Sequence, residues 1–274
     1  MDRDFLTRGA PRVMGIVNVT PDSFSDGGCF FSVDRAVAHG LGLVEAGADI
    51  LDVGGESTRP GAPSVALDEE LERVVPVVQA LSERCDVPIS IDTRKPEVMR
   101  AAVEAGASMI NDVGALGAPG ALEAAVALGV PVCLMHMQGE PRDMQKAPHY
   151  ADVVAEVRAF LHERAMRCTE AGLLPSQIIL DPGFGFGKTL AHNLALLAAL
   201  GEIVALGYPV LVGMSRKRML GEITGREVGE REAAGLAAHL LALERGARIL
   251  RVHDVKQTVD MVRVHTRVME YSTR

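Results

Sequence analysis

Apolar and polar positions follow a repeating block along the chain. Each block is a short β-branched run, a polar or glycine-rich stretch, and an Ala/Leu/Glu-rich segment with helical spacing. Eight runs read as strands: Val13–Val17, Ile50–Val53, Ile89–Ile91, Met109–Asn111, Val132–Met135, Ile178–Leu180, Val210–Val212 and Ile249–Val252. Helical spacing fills the intervals, at Val33–Ala46, Leu67–Ser82, Glu97–Ala105, Ala121–Leu128, Tyr150–Ala171, Asn193–Ala205 and Glu230–Arg245. A last helix, from about Thr258 to Glu270, completes the eighth unit. Glycine closes many of these helices, as in Leu128-Gly129-Val130 and Arg245-Gly246-Ala247, where it supplies the left-handed residue that ends a helix. Strands alternating with helices imply parallel pairing and right-handed crossovers. Eight such units in about 250 residues match an α/β fold of the (β/α)8 TIM-barrel type. A doubly wound open sheet is the alternative, but it usually has fewer strands and an early glycine fingerprint, and none follows Val17. With no linker rich in Pro or Ser, residues 1–274 read as one domain.

Composition adjusts this picture in three ways. Apolar residues make up 48% of the 274 positions, yet Trp is absent and there are only three Tyr and seven Phe, so the core must be aliphatic. The formal net charge of −8 argues against a general nucleic-acid or anionic-membrane binder. No apolar run approaches the roughly 20 residues of a membrane span, and Met1 to Arg12 is short and charged. Cys29, Cys85, Cys133 and Cys168 are far apart with no Cys-x-x-Cys pair, which speaks for a reducing cytoplasm rather than a zinc site or disulfide framework.

A barrel of this type does its chemistry at the C-terminal ends of its strands. Those ends read Asn18; Gly54-Gly55-Glu56-Ser57-Thr58-Arg59-Pro60-Gly61; Asp92-Thr93-Arg94-Lys95; Asn111-Asp112; Met135-His136-Met137; Asp181 to Lys188; Ser215-Arg216-Lys217-Arg218; and Arg251-Val252-His253-Asp254. Each has a bland reading alone: Asp92 as a helix cap, Asn111 as a turn residue, Arg216 to Arg218 as a solvated face, His253 as a structural histidine. Together they favour one rim. Asp92, Asn111, Asp181 and Lys217 suit a flat, nitrogen-rich heterocycle. Asn18, Arg59, Arg251 and His253 suit a phosphorylated group, with Asn18 and nearby carboxylates able to share a hard cation such as Mg²⁺.

Two stretches need separate weighing. Asn18–Gly28 packs hydroxyls, carboxylates, one aromatic and paired glycines into a strand-end loop; its bland reading is a Pro-Asp turn. Pro182 to Thr189 reads P-G-F-G-F-G-K-T, near a phosphate-cradling G-x-x-x-x-G-K-[ST] loop but with Pro182 in place of its first glycine. Alternating glycines with Phe184 and Phe186 look more like a close-packed turn over an aromatic ligand.

Through Asn18–Gly28, Gly54–Gly61, Ile91–Lys95, Ile110–Asp112, Leu134–Gly139, Asp181–Lys188, Gly213–Lys217 and Arg251–Val255, the chain resembles the bacterial dihydropteroate synthases of the pterin-binding (β/α)8 family. The resemblance runs from about Arg12 to Val264. It implies condensation of 6-hydroxymethyl-7,8-dihydropterin diphosphate with 4-aminobenzoate, giving 7,8-dihydropteroate and pyrophosphate in folate biosynthesis. It further implies pterin binding by Asp92, Asn111, Asp181 and Lys217, with Met135, Gly185, Phe186 and Gly213 lining the ring and Arg251 stacked on it. Asn18, Arg59, Arg251 and His253 would hold the diphosphate, with Asn18 also on Mg²⁺. Phe24, Thr58, Arg59, Pro60, Ser215 and Lys217 would form the 4-aminobenzoate pocket. Asp22 and Asp26 would organise the first loop, and Lys217, Asp22, Asp26 and Arg251 would be the catalytic set. A homodimer and sulfonamide targeting also follow from the resemblance. A pterin-binding methyltransferase subunit would share Asp92, Asn111 and Asp181 but has no need of Arg59 or the first loop; a non-catalytic paralogue could drop loop residues that are all present here.

Overall fold

The computed structural model describes residues 3–7, 9–20, 29–57 and 61–272. Eight parallel strands, β1 (Arg12–Asn18), β2 (Ile50–Gly54), β3 (Ile89–Asp92), β4 (Met109–Asp112), β5 (Val132–Met135), β6 (Ile178–Asp181), β7 (Leu211–Val212) and β8 (Ile249–Val252), lie in the order β6-β5-β4-β3-β2-β1-β8-β7. A parallel bridge between Leu180 and Val210, with Leu180 N donating to Pro209 O at 2.9 Å, joins the two ends. The sheet is thereby closed into the expected barrel.

Period-two alternation sorts the strand residues into two cores. Val13, Val17, Leu51, Val53, Ile91, Ile110, Leu134, Leu180 and Leu250 are buried in the outer layer against the helices. Inside the barrel, Met14, Ile50, Met109, Cys133, Ile179, Leu211 and Ile249 form a second cluster. Leu6, on a short N-terminal helix (Arg3–Thr7), joins this inner cluster and is fully buried.

The helices form for local reasons. Leu67–Ser82 opens with Asp68, Glu69 and Glu70, whose charges oppose the helix dipole, and buries Val74, Val77, Val78 and Leu81 on one face. Val153–Glu170 starts later than the spacing suggested because Asp152 takes the cap, accepting from Val154 N (3.0 Å) and Ala155 N (3.1 Å). Gly129, at φ 65°, ends Ala121–Leu128 as the left-handed cap, its N–H donating to Ala125 O.

Two segments depart from the expected pattern. The single helix expected over Asn193–Ala205 is two, Leu190–Ala198 and Leu200–Val204, broken where Ala199 sits at φ −102°, ψ 19°. No breaker residue marks that point, and the bend leaves Leu196, Leu197, Leu200 and Ile203 all buried. The charged run after β7 opens an unforeseen short helix, Arg218–Thr224. Among the described residues, no helix is long and apolar enough to cross a membrane.

Candidate active site

On β2, β4, β6 and β8 the inward face changes, two residues along, from the apolar floor to a polar side chain. Ile50 gives way to Asp52, Met109 to Asn111, Cys133 to Met135, Ile179 to Asp181, Leu211 to Gly213 and Ile249 to Arg251, while on β3 Ser90 precedes Asp92. Strand register sets these level with one another: Asp92 beside Asn111, and Met135 beside Asp181. An alanine Cβ at Gly213 would lie 3.6 Å from Arg251 Cβ, in ordinary contact with the arginine stem.

Arg251 ties three strands together. Its Nε donates to Asp52 Oδ2 (2.6 Å) and its Nη2 to Asp92 Oδ2 (2.7 Å), while Asn111 Nδ2 donates to the same Asp52 oxygen (3.2 Å). Burial raises the Asp92 pKa to about 7; Arg251 opposes that, and Asp52 and Asp112 reinforce it. Burial works against the Arg251 charge, but Asp52 and Asp92 outweigh it and hold its pKa above the ordinary arginine value. Asp52 is fully buried, and its Oδ1 has no partner among the described residues. Sequence reading missed it by taking only strand termini; the signal was its place two residues before Gly54, on the inward face.

The second half of the pterin set faces this network. Asp181 accepts from Gly183 N at 2.7 Å; burial raises its pKa, and Lys217 and the Gly183 bond oppose the shift. Lys217 Nζ donates to Phe184 O and lies 4.5 Å from the Phe186 ring centroid, a cation–π geometry. Burial lowers the Lys217 pKa to about 8 against the pull of Asp181. Its backbone is aimed by Arg216, a non-glycine residue at φ 60°, and by Arg231 Nη1, which donates to the carbonyls of Arg216 (3.2 Å) and Lys217 (3.4 Å).

The near-P-loop run is a close-packed turn. Gly183, Gly185 and Gly187 have φ of 68°, 80° and 62°. A Cβ at Gly183 would fall 1.9 Å from His136 O, and one at Gly187 2.3 Å from Gln138 O. Phe184 is fully buried in the outer core, whereas Phe186 is only partly buried, its ring beside Lys217.

Strand ends seven and eight meet at Ser215. Its Oγ accepts from His253 N (3.2 Å) and lies 3.0 Å from His253 Nδ1 and 3.5 Å from Asp254 Oδ2. Ser215, expected on the arylamine side, is thus in contact with His253, expected on the diphosphate side. Asp254 pairs with Arg216 at 2.6 Å. Half-buried Asn18 ends β1 opposite Gly54.

Asp22, Phe24 and Asp26 of the first loop, and Thr58, Arg59 and Pro60 of the second, lie outside the described residues. The base of the second loop is held firmly. Lys95 Nζ binds Glu56 Oε2 (2.7 Å) and buried Glu70; Thr93 Oγ1 donates to Glu70 Oε1 (2.6 Å); Arg73 Nη1 donates to Gly55 O (2.7 Å). Lys95 and Arg94 therefore serve the loops, Arg94 forming a two-pronged pair with Glu140 at 2.7 and 3.2 Å. Among the described residues, no group of three His, Cys, Asp or Glu side chains is arranged to hold a metal.

Comparison with known proteins agrees with this geometry. The family model described as pterin binding enzyme matches residues 14–253. Dihydropteroate synthase of Escherichia coli (strain K12) is 55% identical over 254 residues, covering 93% of this chain and 90% of that protein. The solved structure of Xanthomonas albilineans dihydropteroate synthase with 4-aminobenzoic acid is 60% identical with a TM-score of 0.91, over 95% of this chain and 93% of that one. Yersinia pestis dihydropteroate synthase in a sulfonamide drug complex is 50% identical with a TM-score of 0.90, over 96% of this chain and 95% of that one.

Proposed function

The chain belongs to the pterin binding enzyme family, and from that premise we propose how its barrel mouth works. Its activity is that of the dihydropteroate synthases: it transfers the dihydropterin methylene group of 6-hydroxymethyl-7,8-dihydropterin diphosphate to the amine of 4-aminobenzoate. In this reading Asp92, Asn111, Asp181 and Lys217 bind the pterin edge, Met135, Gly185, Phe186 and Gly213 line the ring, and Arg251 covers it. What supports this is one observation: acceptors and donors from five strand ends stand on one inward ring above a dry, apolar floor.

The chemistry needs little proton transfer. The methylene carbon–oxygen bond breaks, pyrophosphate leaves with the electron pair, and the positive charge spreads into the electron-rich dihydropterin. The arylamine lone pair then forms the carbon–nitrogen bond, and the nitrogen sheds a proton. An arylamine is neutral at pH 7, so positioning and charge stabilisation carry the catalysis. Asp52, Asp92 and Asp181 face Arg251 and Lys217, and the excess carboxylate favours cationic character in a ring held among them. Asn18, Arg59 and His253 hold the diphosphate; Phe24, Thr58, Arg59, Pro60, Ser215 and Lys217 serve the 4-aminobenzoate; Asp22 and Asp26 organise the first loop.

Magnesium belongs to the same reading. Mg²⁺ keeps several waters and substrate phosphate oxygens and asks few ligands of the protein, so the hard amide oxygen of Asn18 at the end of β1 fits it. Asn18 would hold the ion beside the diphosphate, and the ion would neutralise charge on the leaving group. We place the chain in the cytoplasm, as one barrel domain and a homodimer; Cys85, Cys133 and Cys168 are free thiols. It is a sulfonamide target, the drug competing for the arylamine pocket.

The test is pyrophosphate release from the pterin diphosphate with and without 4-aminobenzoate. Release dependent on the arylamine, with dihydropteroate formed in equal amount, is expected. Pyrophosphate output indifferent to the arylamine, with no dihydropteroate, overturns the reading.

A further inference from the structure

In the turn that follows β6, all five carbonyl oxygens from Gly183 to Gly187 accept from side chains. Gly183 O and Phe186 O accept from Lys188 Nζ at 2.9 and 3.0 Å; Phe184 O accepts from Lys217 Nζ; Gly185 O accepts from Gln145 Nε2; Gly187 O accepts from the Tyr150 hydroxyl at 2.9 Å. Asn193 Oδ1 takes the Gly185 N–H at 2.7 Å.

Lys188 is central to this arrangement and has no part in the chemistry above. It is 3% exposed. Besides the two turn carbonyls, its Nζ lies 3.3 Å from His136 O and 2.9 Å from His136 Nδ1. Three of the four neighbours are carbonyl oxygens, which can only accept, and the three N–H donors of an ammonium match them. Burial draws the Lys188 pKa down to about 7 while Asp181 supports the charge. His136 is neutral, its pKa lowered to about 3 by burial with Lys188 adding to the effect. Facing an ammonium, its Nδ1 accepts. The imidazole is held edge-on to Phe160, ring centroids 5.0 Å apart, so the cage is rigid on that side too.

The turn in its turn sets Lys217. Phe184 O fixes one bond of that amine and the Phe186 ring lies beneath it at 4.5 Å. A shift of the backbone between Gly183 and Phe186 moves both contacts at once. We infer that Lys188 is a positioning residue: from behind the turn, its ammonium holds the Phe184 carbonyl and the Phe186 ring where they aim Lys217 at the pterin. The inference rests on the pterin role proposed for Lys217. It also gives the P-G-F-G-F-G-K run a purpose different from phosphate binding, since its lysine points into protein carbonyls.

The experiment compares wild type with Lys188→Met, which keeps length and loses the charge, and Lys188→Arg, which keeps a cation. Three quantities are read well below the unfolding temperature: the Kd of 6-hydroxymethylpterin by calorimetry, and the KM for each substrate with the other saturating. Lys188→Met is expected to raise the pterin Kd and the pterin diphosphate KM about tenfold or more, the scale of one lost charge-assisted network. The KM for 4-aminobenzoate, which Lys217 also serves, should rise less than that for the pterin diphosphate, and Lys188→Arg should recover part of the pterin affinity. If Lys188→Met does not fold, Lys188→Gln is judged by the same comparison. A variant that melts earlier yet binds the pterin as wild type does would reduce Lys188 to a structural residue and overturn the inference. A wild type that neither binds pterin nor makes dihydropteroate would instead sink the functional reading, so the two failures are distinguishable.

Discussion

Replacing Asp52 by asparagine separates charge from geometry at the centre of the mouth. The carboxamide oxygen can still accept from Arg251 Nε and Asn111 Nδ2, as Asp52 Oδ2 does at 2.6 and 3.2 Å. Its amide group then stands where the partnerless Oδ1 was. What is lost is one buried negative charge beside Asp92. Two carboxylates sharing one guanidinium are about 5 Å apart, which at an effective dielectric of about 20 gives roughly 3 kcal/mol of repulsion. Relaxation and the slight exposure of Asp92 cut that to about half, equivalent to a pKa change of about one unit. Arg251, still hydrogen-bonded to residue 52 but no longer neutralised by its charge, pulls in the same direction. The Asp92 midpoint, about 7 in the wild type, should therefore fall. If ionised Asp92 accepts the pterin N–H groups, wild-type affinity weakens as pH drops through about 7, and the Asp52→Asn curve lies at lower pH. The stability sign is opposite. A carboxyl raised from 3.8 to about 7 keeps its proton longer in the native state, so its contribution to stability is fullest below 3.8 and is lost as pH rises to about 7. Calorimetric titration of 6-hydroxymethylpterin from pH 5.5 to 8.5 measures the first effect, and urea unfolding across the same range the second. An Asp52→Asn midpoint equal to or above that of wild type would refute the electrostatic account of the mouth.

Two further outcomes are expected. Gly183→Ala sets a Cβ 1.9 Å from His136 O at a φ of 68°, so it should cost about 3 kcal/mol or more in urea unfolding, and a wild-type midpoint would disprove the close-packed turn. Phe24→Ala should raise the KM for 4-aminobenzoate about tenfold with pterin affinity unchanged; an unaltered arylamine KM would remove Phe24 from the pocket.

Much of the fold was legible because it follows from local periodicity. Strands such as Val132–Met135, and helices such as Leu67–Ser82 and Ala121–Leu128, were read to the residue, since β-branched runs and one-sided helical stripes need only their own neighbours to be recognised. The break at Ala199 and the helix Arg218–Thr224 were not, because apolar spacing runs on through Leu196, Leu200 and Ile203 without a gap, and the charged run before Met219 and Leu220 reads as a loop.

The same division runs through the site. By itself the sequence determined that one rim of a parallel barrel gathers Asp92, Asn111, Asp181, Lys217, Arg251 and His253, because each lies at or within a few residues of the C-terminal end of an apolar strand. Only the tertiary structure decided that Asp52 joins them, that Arg251 is shared between Asp52 and Asp92, that Ser215 meets His253, and that Lys188 points away from the ligand into its own turn. Strand pattern says which face a residue takes. Which inward residues from strands distant in sequence come within hydrogen-bonding reach depends on barrel closure and register, and these are fixed by the whole sheet.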